Sequence, residues 1–509
     1  MHEEEDGRNN PFADELRAAR RADPCALVIL GATGDLTRRK LVPALMGLAK
    51  DGLLPAGFAV IGFARRPWDD AEFRRVLADG VARFGRADTA EWFTRLSGCF
   101  RYMTSDFADP CGYEALGRRL DQADREAGTA GNRIFYLATP PSAYSEILGR
   151  LAASGLSNPR PGRFARVIVE KPFGRDLESA RALNRQVLAA FPEREVFRID
   201  HYLGKETVQN ILALRFGNGI FEPLWNHRHV DHVQITVAES IGVGTRGGYF
   251  EEAGIVRDMI QNHLLQVLTL VAMEPPVALS PDAIRDEKVK VLKAVRSFAP
   301  DEVARATARG QYVASSFDGQ DVKGYREEEG VAADSRTETF AAVDLRVDNW
   351  RWSGTPFFLR AGKRLPRRVT EIAIHFARPP QVLFAREQDL RPNVLLLRIQ
   401  PDEGISLRLG CKVPGPENRI RDVRMDFRYG AAFGGENPDA YERLLLDAMI
   451  GDGTLFARKD EVEESWRIVD SVVAGWNAAP SDPEPYEAGT WGPPGADALL
   501  GPGREWRKP

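Results

Sequence analysis

At 509 residues the chain exceeds what a single hydrophobic core usually supports, so two or more domains are expected. Its apolar content of 43% and charged content of 28% are those of an ordinary soluble globular protein. A net charge of −4 gives no electrostatic reason for a nucleic-acid partner, so any anionic ligand must be held by local basic clusters. The cysteines Cys25, Cys99, Cys111 and Cys411 lie far apart without a C-x-x-C pair, which fits free thiols in a reducing cytosol. No apolar run approaches the ~18 residues of a membrane span. The acidic start MHEEEDGRNN lacks an apolar core, so we expect no secretory signal, no membrane partner and a cytoplasmic protein.

Residues 1–23 are polar, and the charged stretch Glu15–Arg21 has no clear apolar face, so they read as a flexible N-terminal extension. The texture changes at Cys25, where CALVIL is a continuous apolar run of the kind found in buried parallel strands. GATGDLTRRK and the helical pattern LVPALMGLA follow at once. Gly31 and Gly34 would let the main chain approach a pyrophosphate beside a helix N-terminus. The motif is G-x-x-G rather than G-x-G-x-x-G, so a plain βα turn stands as its alternative. The next strand, FAVIGF (58–63), ends in Ala64-Arg65-Arg66, where an NAD-preferring fold places Asp or Glu. Two guanidiniums suit a ribose 2′-phosphate, which favours NADP over NAD.

Helical patterns follow at about 69–95 and 112–127, then the strand RIFYLATPP (133–141), a helix over 142–153 and the strand FARVIVEKPFG (164–174). This alternation predicts a doubly wound parallel sheet with ligands at the strands' carboxyl ends. Lys171 sits at such an end, and its alternative is a solvated surface lysine. A helix over 176–190 leads to RIDHYLGKE (198–206), which places a carboxylate, an imidazole, a phenol, a glycine and an ammonium in nine residues. No apolar rhythm requires that set. Lys205 opens the helix ETVQNILALRF, so its ammonium lies near that helix's positive end and favours an anion there.

Beyond residue 220, HVQITVAES, TFAAVDLRVD, PFFLRAGKR, EIAIHFA, NVLLLRIQ and GISLRLGCK read as strands with short connections. They predict a large antiparallel sheet. One long helix, 255–273, runs between them, and residues 478–509, rich in Pro and Gly, are expected to wrap the surface. The fold class is thus α/β plus α+β. A Rossmann-like NADP-binding domain (24–199) precedes a larger domain (200–509) with a mainly antiparallel β-sheet and helices.

His263 lies in the apolar helix, where a satisfied core histidine is the ordinary reading. Its neighbours Asp258, Gln261 and Asn262 make this turn polar enough to suggest a cavity. His227, His229 and His232 form H-x-H-x-x-H without an obvious further ligand, so no metal site is assigned. Asp200, His201, Tyr202 and Lys205 supply groups suited to a phosphate dianion. Glu239 ends one strand, and Lys363 follows another.

GATGDLTRRK, EKPFGRD, RIDHYLGKE, IVRDMIQNHLLQ and WSGTPFFLRAGKRL resemble, in that order, the signature segments of glucose-6-phosphate dehydrogenases, and the ending PYEAGTWGPPGA with REW is similar to bacterial members. The resemblance implies oxidation of glucose 6-phosphate at C1 by NADP⁺, the first step of the oxidative pentose phosphate pathway. It implies His263 as general base and Asp200 as the carboxylate that orients it. Lys171, His201, Tyr202, Lys205, Glu239, Asp258, Lys363 and Arg368 would bind substrate. Gly31, Ala32, Thr33, Gly34, Asp35, Leu36, Arg65, Tyr144 and Lys171 would bind the coenzyme. Asp258 and His263 are five residues apart, about 140° around an α-helix, so they would flank a sugar ring rather than point at one atom. Homodimers or homotetramers are implied, while a second NADP site and the isomer of the Lys171-Pro172 bond stay open.

Sugar oxidoreductases of the glucose–fructose type share the E-K-P lysine but lack RIDHYLGKE. A non-catalytic paralogue would be expected to lose the base or the lysines, and this chain keeps both.

Overall fold

The computed structural model describes residues 21–380, 390–433, 438–479 and 481–509, so residues 1–20 of the expected extension lie outside it. The chain forms two compact units. The first comprises Met1–Gly174, Glu178–Gly204 and Pro438–Lys459, and the second Arg175–Leu177, Lys205–Asn437 and Asp460–Pro509.

The first unit is built on strands β1 (Cys25–Leu30), β2 (Phe58–Ala64), β3 (Phe100–Thr104), β4 (Arg133–Leu137), β5 (Ala165–Val169) and β6 (Val196–Ile199). They lie in the order β6-β5-β4-β1-β2-β3, all parallel. Successive strands run outward in both directions from β1, and ligands of such sheets bind at the carboxyl ends where the order reverses. Every β1 side chain is buried, which explains its unbroken apolar run. The expected helix over 69–95 is two helices, Asp70–Phe84 and Thr89–Leu96. β3 was not expected, because its half-buried FRYMT pattern lacks the apolar run of its neighbours.

A single cut at 199/200 does not describe the units, because the chain returns to the first one late in its course. Phe456–Ala457 pairs antiparallel with β6. The helix Ala440–Ile450 starts in a capping box: Asp439 accepts from the Tyr441 amide at 2.9 Å, and Glu442 from the Asp439 amide at 3.3 Å. It packs against the helix Val42–Lys50. Gly47 permits the approach, since a Cβ there would lie 2.5 Å from the Glu442 carboxylate.

The second unit holds a nine-stranded sheet. Its order is Ile420–Arg428, Gly404–Lys412, Val394–Gln400, Val369–Phe376, Val230–Ala238, Pro356–Gly362, Phe340–Arg346, Thr307–Val313 and Glu484–Glu487. It is mainly antiparallel, as expected. Two pairs are parallel: Val230–Ala238 with Pro356–Gly362, and Thr307–Val313 with Glu484–Glu487. The C-terminal tail therefore extends the sheet rather than merely wrapping it. Buried Tyr486 and Trp506 anchor the tail, and the Trp506 indole donates to the Ala496 carbonyl at 2.8 Å.

The long helix expected over 255–273 is three segments. Gly247–Ile255 is α-helical up to Gly254, whose φ of 62° and ψ of 171° interrupt it. Val256–Leu264 is a π-helix, and Leu265–Ala272 returns to α geometry. The far end is fixed by buried donors: the Trp225 indole bonds the Val271 carbonyl at 2.7 Å, and the Trp352 indole the Ala272 carbonyl at 2.8 Å. Arg215 adds bonds to the Leu270 and Met273 carbonyls, both at 2.9 Å. These satisfy carbonyls that a helix end leaves without intrahelical partners.

Candidate active site

In the first unit, β1 is followed by Gly31, whose φ of 92° favours glycine. Its amide donates to the Phe63 carbonyl at 2.8 Å, and a Cβ there would lie 2.5 Å from the Ala138 carbonyl oxygen. Only a glycine keeps this turn tight at the reversal point between β1 and β4. Ala32 is buried and Thr33 and Leu36 are half-buried, whereas Gly34 and Asp35 are exposed. Asp35 holds Arg38 and Arg39, each at 3.0 Å. Arg65 and Arg66 project from the end of β2, both exposed, and the Arg66 guanidinium lies 5.4 Å from the centroid of the Trp68 ring. A bare glycine turn, a following helix and exposed guanidiniums at the next strand end fit the diphosphate and ribose phosphate of a dinucleotide.

Lys171 follows β5, and its bond to Pro172 is cis. Behind it lies a group that the sequence reading missed. The carboxylate of half-buried Glu170 accepts hydrogen bonds from the hydroxyls of Tyr136 and, at 3.2 Å, Tyr441. Burial pushes this carboxyl above its usual range, opposed by the two tyrosines and by the charge of Lys171. Tyr144, expected among the coenzyme residues, is buried and donates to the Glu170 carbonyl at 3.1 Å. Three phenols from three helices and strands thus fix the residue before Lys171. Tyr441 lies 271 positions from Glu170, so no local pattern announces it.

β6 leads into RIDHYLGKE. Arg198 is buried and grips Glu193 with two bonds, at 2.7 and 3.1 Å. Asp200 is 2% exposed and accepts from the Tyr202 amide at 3.0 Å, forming an Asx turn that fixes its side chain. The His201 and Tyr202 rings lie 5.0 Å apart. Gly204 is sterically required, since a Cβ there would meet the Ala440 carbonyl at 2.7 Å.

In the second unit, Lys205 stands at the N-terminus of the helix Glu206–Phe216 and donates to the side-chain oxygen of Gln400. The exposed Arg368 reaches the same oxygen at 3.5 Å, and Gln400 donates to the Thr370 hydroxyl at 3.0 Å. The structure therefore brings Lys205 and Arg368 together through Gln400, which was not predicted. Gln400 ends a strand, and a place at a strand's carboxyl end is also what singled out Lys171. Lys363 is buried and donates to Glu239 at 2.6 Å, a pairing not foreseen for these two residues.

Asp258 and His263 are both buried in the π-helix. The Tyr249 hydroxyl donates to Asp258 at 3.4 Å, and the His263 amide donates to the Asn262 side-chain oxygen at 2.6 Å. The π segment revises their expected divergence. On an α-helix five residues leave about 140° between two side chains. An i→i+5 hydrogen-bond repeat brings such a pair back toward one face. Glu338, also unpredicted, accepts from the Val256 amide at 3.2 Å where this segment begins. Burial raises its carboxyl, opposed by its own amide and that of Val256.

The three histidines of H-x-H-x-x-H do not share a strand face. His227 and His229 are exposed before the strand, whereas His232 is buried within it and stacks on His375 at 4.1 Å. Burial, and then His232, hold His375 down at about 3. A cavity of about 940 Å³ in this unit is lined by Asp231, His232, His375, Arg408, Arg504 and Arg507 among others. It includes none of the predicted site residues.

Residues 28–210 match the sequence family described as the NAD binding domain of glucose-6-phosphate dehydrogenase, and 212–507 match that enzyme's C-terminal domain. Among curated relatives, glucose-6-phosphate 1-dehydrogenase 2 of Mycobacterium tuberculosis (strain ATCC 25618 / H37Rv) is 50% identical, covering 98% of both chains. Glucose-6-phosphate 1-dehydrogenase of Aggregatibacter actinomycetemcomitans is 48% identical over 96% of this chain and 98% of its own. A solved glucose-6-phosphate dehydrogenase in complex with its substrate glucose-6-phosphate matches with a TM-score of 0.87 at 36% identity. That match covers 96% of this chain and 99% of the other. The Mycobacterium avium enzyme matches with a TM-score of 0.82 at 38% identity, over 96% and 99% of the two chains.

Proposed function

The chain belongs to the glucose-6-phosphate dehydrogenase family, and on that premise we propose that its residues oxidise glucose 6-phosphate at C1 with NADP⁺ as the specific coenzyme. It is an oxidoreductase, a glucose-6-phosphate 1-dehydrogenase that uses a nicotinamide dinucleotide. The carrying observation is the joint presence of a glycine turn of the dinucleotide type and the RIDHYLGKE segment.

The dinucleotide, when bound, accepts the hydride that leaves C1. Gly31 through Leu36 would hold its diphosphate, with Lys171 close to its reactive end. Arg65, with Arg66 beside it, would hold the 2′-phosphate. Tyr144 is assigned an indirect part, because its hydroxyl already serves the Glu170 carbonyl.

Loss of hydride from C1 requires removal of the C1 hydroxyl proton, so a base titrating near neutrality is useful. His263 takes that role, with Asp200 holding the imidazole in its productive tautomer and supporting the positive charge it gains. His201, Tyr202 and Lys205 bind the substrate phosphate. Arg368 joins them in this reading, supported by the Gln400 side-chain oxygen that it shares with Lys205. Glu239, Asp258 and Lys363 bind sugar hydroxyls, and a preformed Glu239–Lys363 pair offers an acceptor and a donor together. Holding the phosphate far from C1 supplies binding energy that orients the reacting carbon. We place the protein in the cytoplasm as a homodimer or homotetramer.

The test is steady-state reduction of NADP⁺ by glucose 6-phosphate in parallel with free glucose. Turnover with the phosphorylated sugar and little with free glucose supports the reading. A folded, NADP-binding preparation that does not turn over glucose 6-phosphate refutes it.

A further inference from the structure

We propose that Glu338 is a positioning residue for this reaction: its carboxylate sets the register of the π-helix Val256–Leu264 that carries Asp258 and His263. The inference rests on the assignment of His263 as base.

At Gly254 the preceding helix breaks, with φ 62° and ψ 171°, a combination open almost only to glycine. The next two amides are then claimed by one residue. The Ile255 amide donates to the Glu338 carbonyl at 3.0 Å, and the Val256 amide to the Glu338 carboxylate at 3.2 Å. Gly254 and Glu338 fit one another, since a Cβ on residue 254 would lie 2.4 Å from Glu338 Oε1.

Packing alone does not call for a carboxylate here. Glu338 is 7% exposed, and an apolar side chain would fill the position without the cost of burying an ionisable group. What the side chain supplies is an acceptor oxygen at the start of a helical segment whose first amides have no intrahelical partners. The other end of the helix is fixed by the Trp225 and Trp352 indoles. With both ends held, the wider π turn cannot relax into α geometry by sliding along its axis.

The adjacent residue extends the same device. The Thr339 carbonyl accepts from the Lys363 amide at 3.0 Å, and its hydroxyl accepts from the Tyr312 amide at 3.0 Å. Two consecutive residues therefore index both the segment bearing His263 and the turn bearing Lys363.

The test uses the full-length protein with Glu338→Ala, Glu338→Gln and Glu338→Asp, and His263→Asn in parallel. It measures kcat, KM for glucose 6-phosphate, KM for NADP⁺ and the melting temperature. We expect Glu338→Ala to lower kcat roughly a hundredfold, the effect of a displacement of about 1 Å, while KM for NADP⁺ stays within about twofold. Glu338→Gln keeps an acceptor oxygen and should restore kcat to within about threefold of the parent. If Glu338→Ala does not fold, Glu338→Asp takes its place: it keeps the charge but withdraws the acceptor from Val256, and the same loss of kcat is expected. Parent-like kcat in the Ala or Asp variant overturns the proposal, as does a Gln variant as impaired as Ala. If His263→Asn is inactive while the Glu338 variants are not, the register proposal alone fails. Retained kcat in His263→Asn refutes the base assignment beneath it.

Discussion

The ion pair that opens RIDHYLGKE predicts an asymmetry that its two burials determine. The Arg198 side chain is 2% exposed and that of Glu193 is 23% exposed. Substituting Glu193→Ala strands a buried guanidinium, whose remaining bond is the 3.5 Å contact to the Ala457 carbonyl. Breaking a buried pair from that side costs about 3–5 kcal/mol. It also removes the acceptor of the Lys459 amide, now bonded to Glu193 at 3.0 Å, for about 1 kcal/mol more. Substituting Arg198→Met instead leaves a carboxylate that water can reach and that still serves Lys459, so the cost falls to about 1–2 kcal/mol. Hydrogen exchange of the amides in β6 measures the free energy of local opening directly. We expect Glu193→Ala to lower it by clearly more than Arg198→Met. Equal losses, or the reverse order, would refute the claim that burial of the arginine governs this pair.

Three further predictions concern other parts of the first unit. Arg65→Ala combined with Arg66→Ala should raise KM for NADP⁺ much more than KM for NAD⁺. Equal effects would place the 2′-phosphate elsewhere. Tyr441→Phe leaves the Glu170 carboxylate with one phenol donor fewer, and should lower kcat/KM severalfold, by roughly the worth of one charge-assisted bond. An unchanged kcat/KM would detach this network from Lys171. For Asp124, burial raises the carboxyl, but bonds from Arg133, Thr129 and the Gly131 amide outweigh it and hold the group at about 2. A carboxyl lowered on folding stabilises above its unfolded pKa and loses that contribution as pH falls through the folded value. The melting temperature should therefore fall more steeply with acid, from about pH 4 down toward about pH 2, in the parent than in Asp124→Asn. Parallel curves would contradict this.

Local patterns carried much of the architecture. CALVIL, FAVIGF and RIFYL are apolar because they lie inside a sheet covered on both faces, and that makes them legible as parallel strands. The chemistry of RIDHYLGKE was legible for the opposite reason: its polar groups serve no packing rhythm. What local patterns did not carry is closure between distant segments. Nothing near residue 440 announces that Tyr441 will reach Glu170, or that Phe456–Ala457 will complete the first sheet. The π segment was also hidden, because one extra residue per turn barely alters an apolar pattern read at three and four. It begins after the break at Gly254, where Glu338, distant in sequence, accepts from the Val256 amide, and it brings Asp258 and His263 back toward one face. Lys363 and Glu239 were each chosen as residues beside strand ends. Their pairing became visible only once Val230–Ala238 and Pro356–Gly362 were seen to lie side by side.

The central claim is hydride transfer from C1 of glucose 6-phosphate to a nicotinamide dinucleotide. Its most direct test is to supply glucose 6-phosphate deuterated at C1 and to examine the reduced coenzyme by NMR. The account predicts that the deuterium appears on the nicotinamide ring of NADPH, and that the initial rate falls if hydride transfer limits turnover. Deuterium recovered in solvent or retained in the sugar product, with unlabelled NADPH, would contradict it.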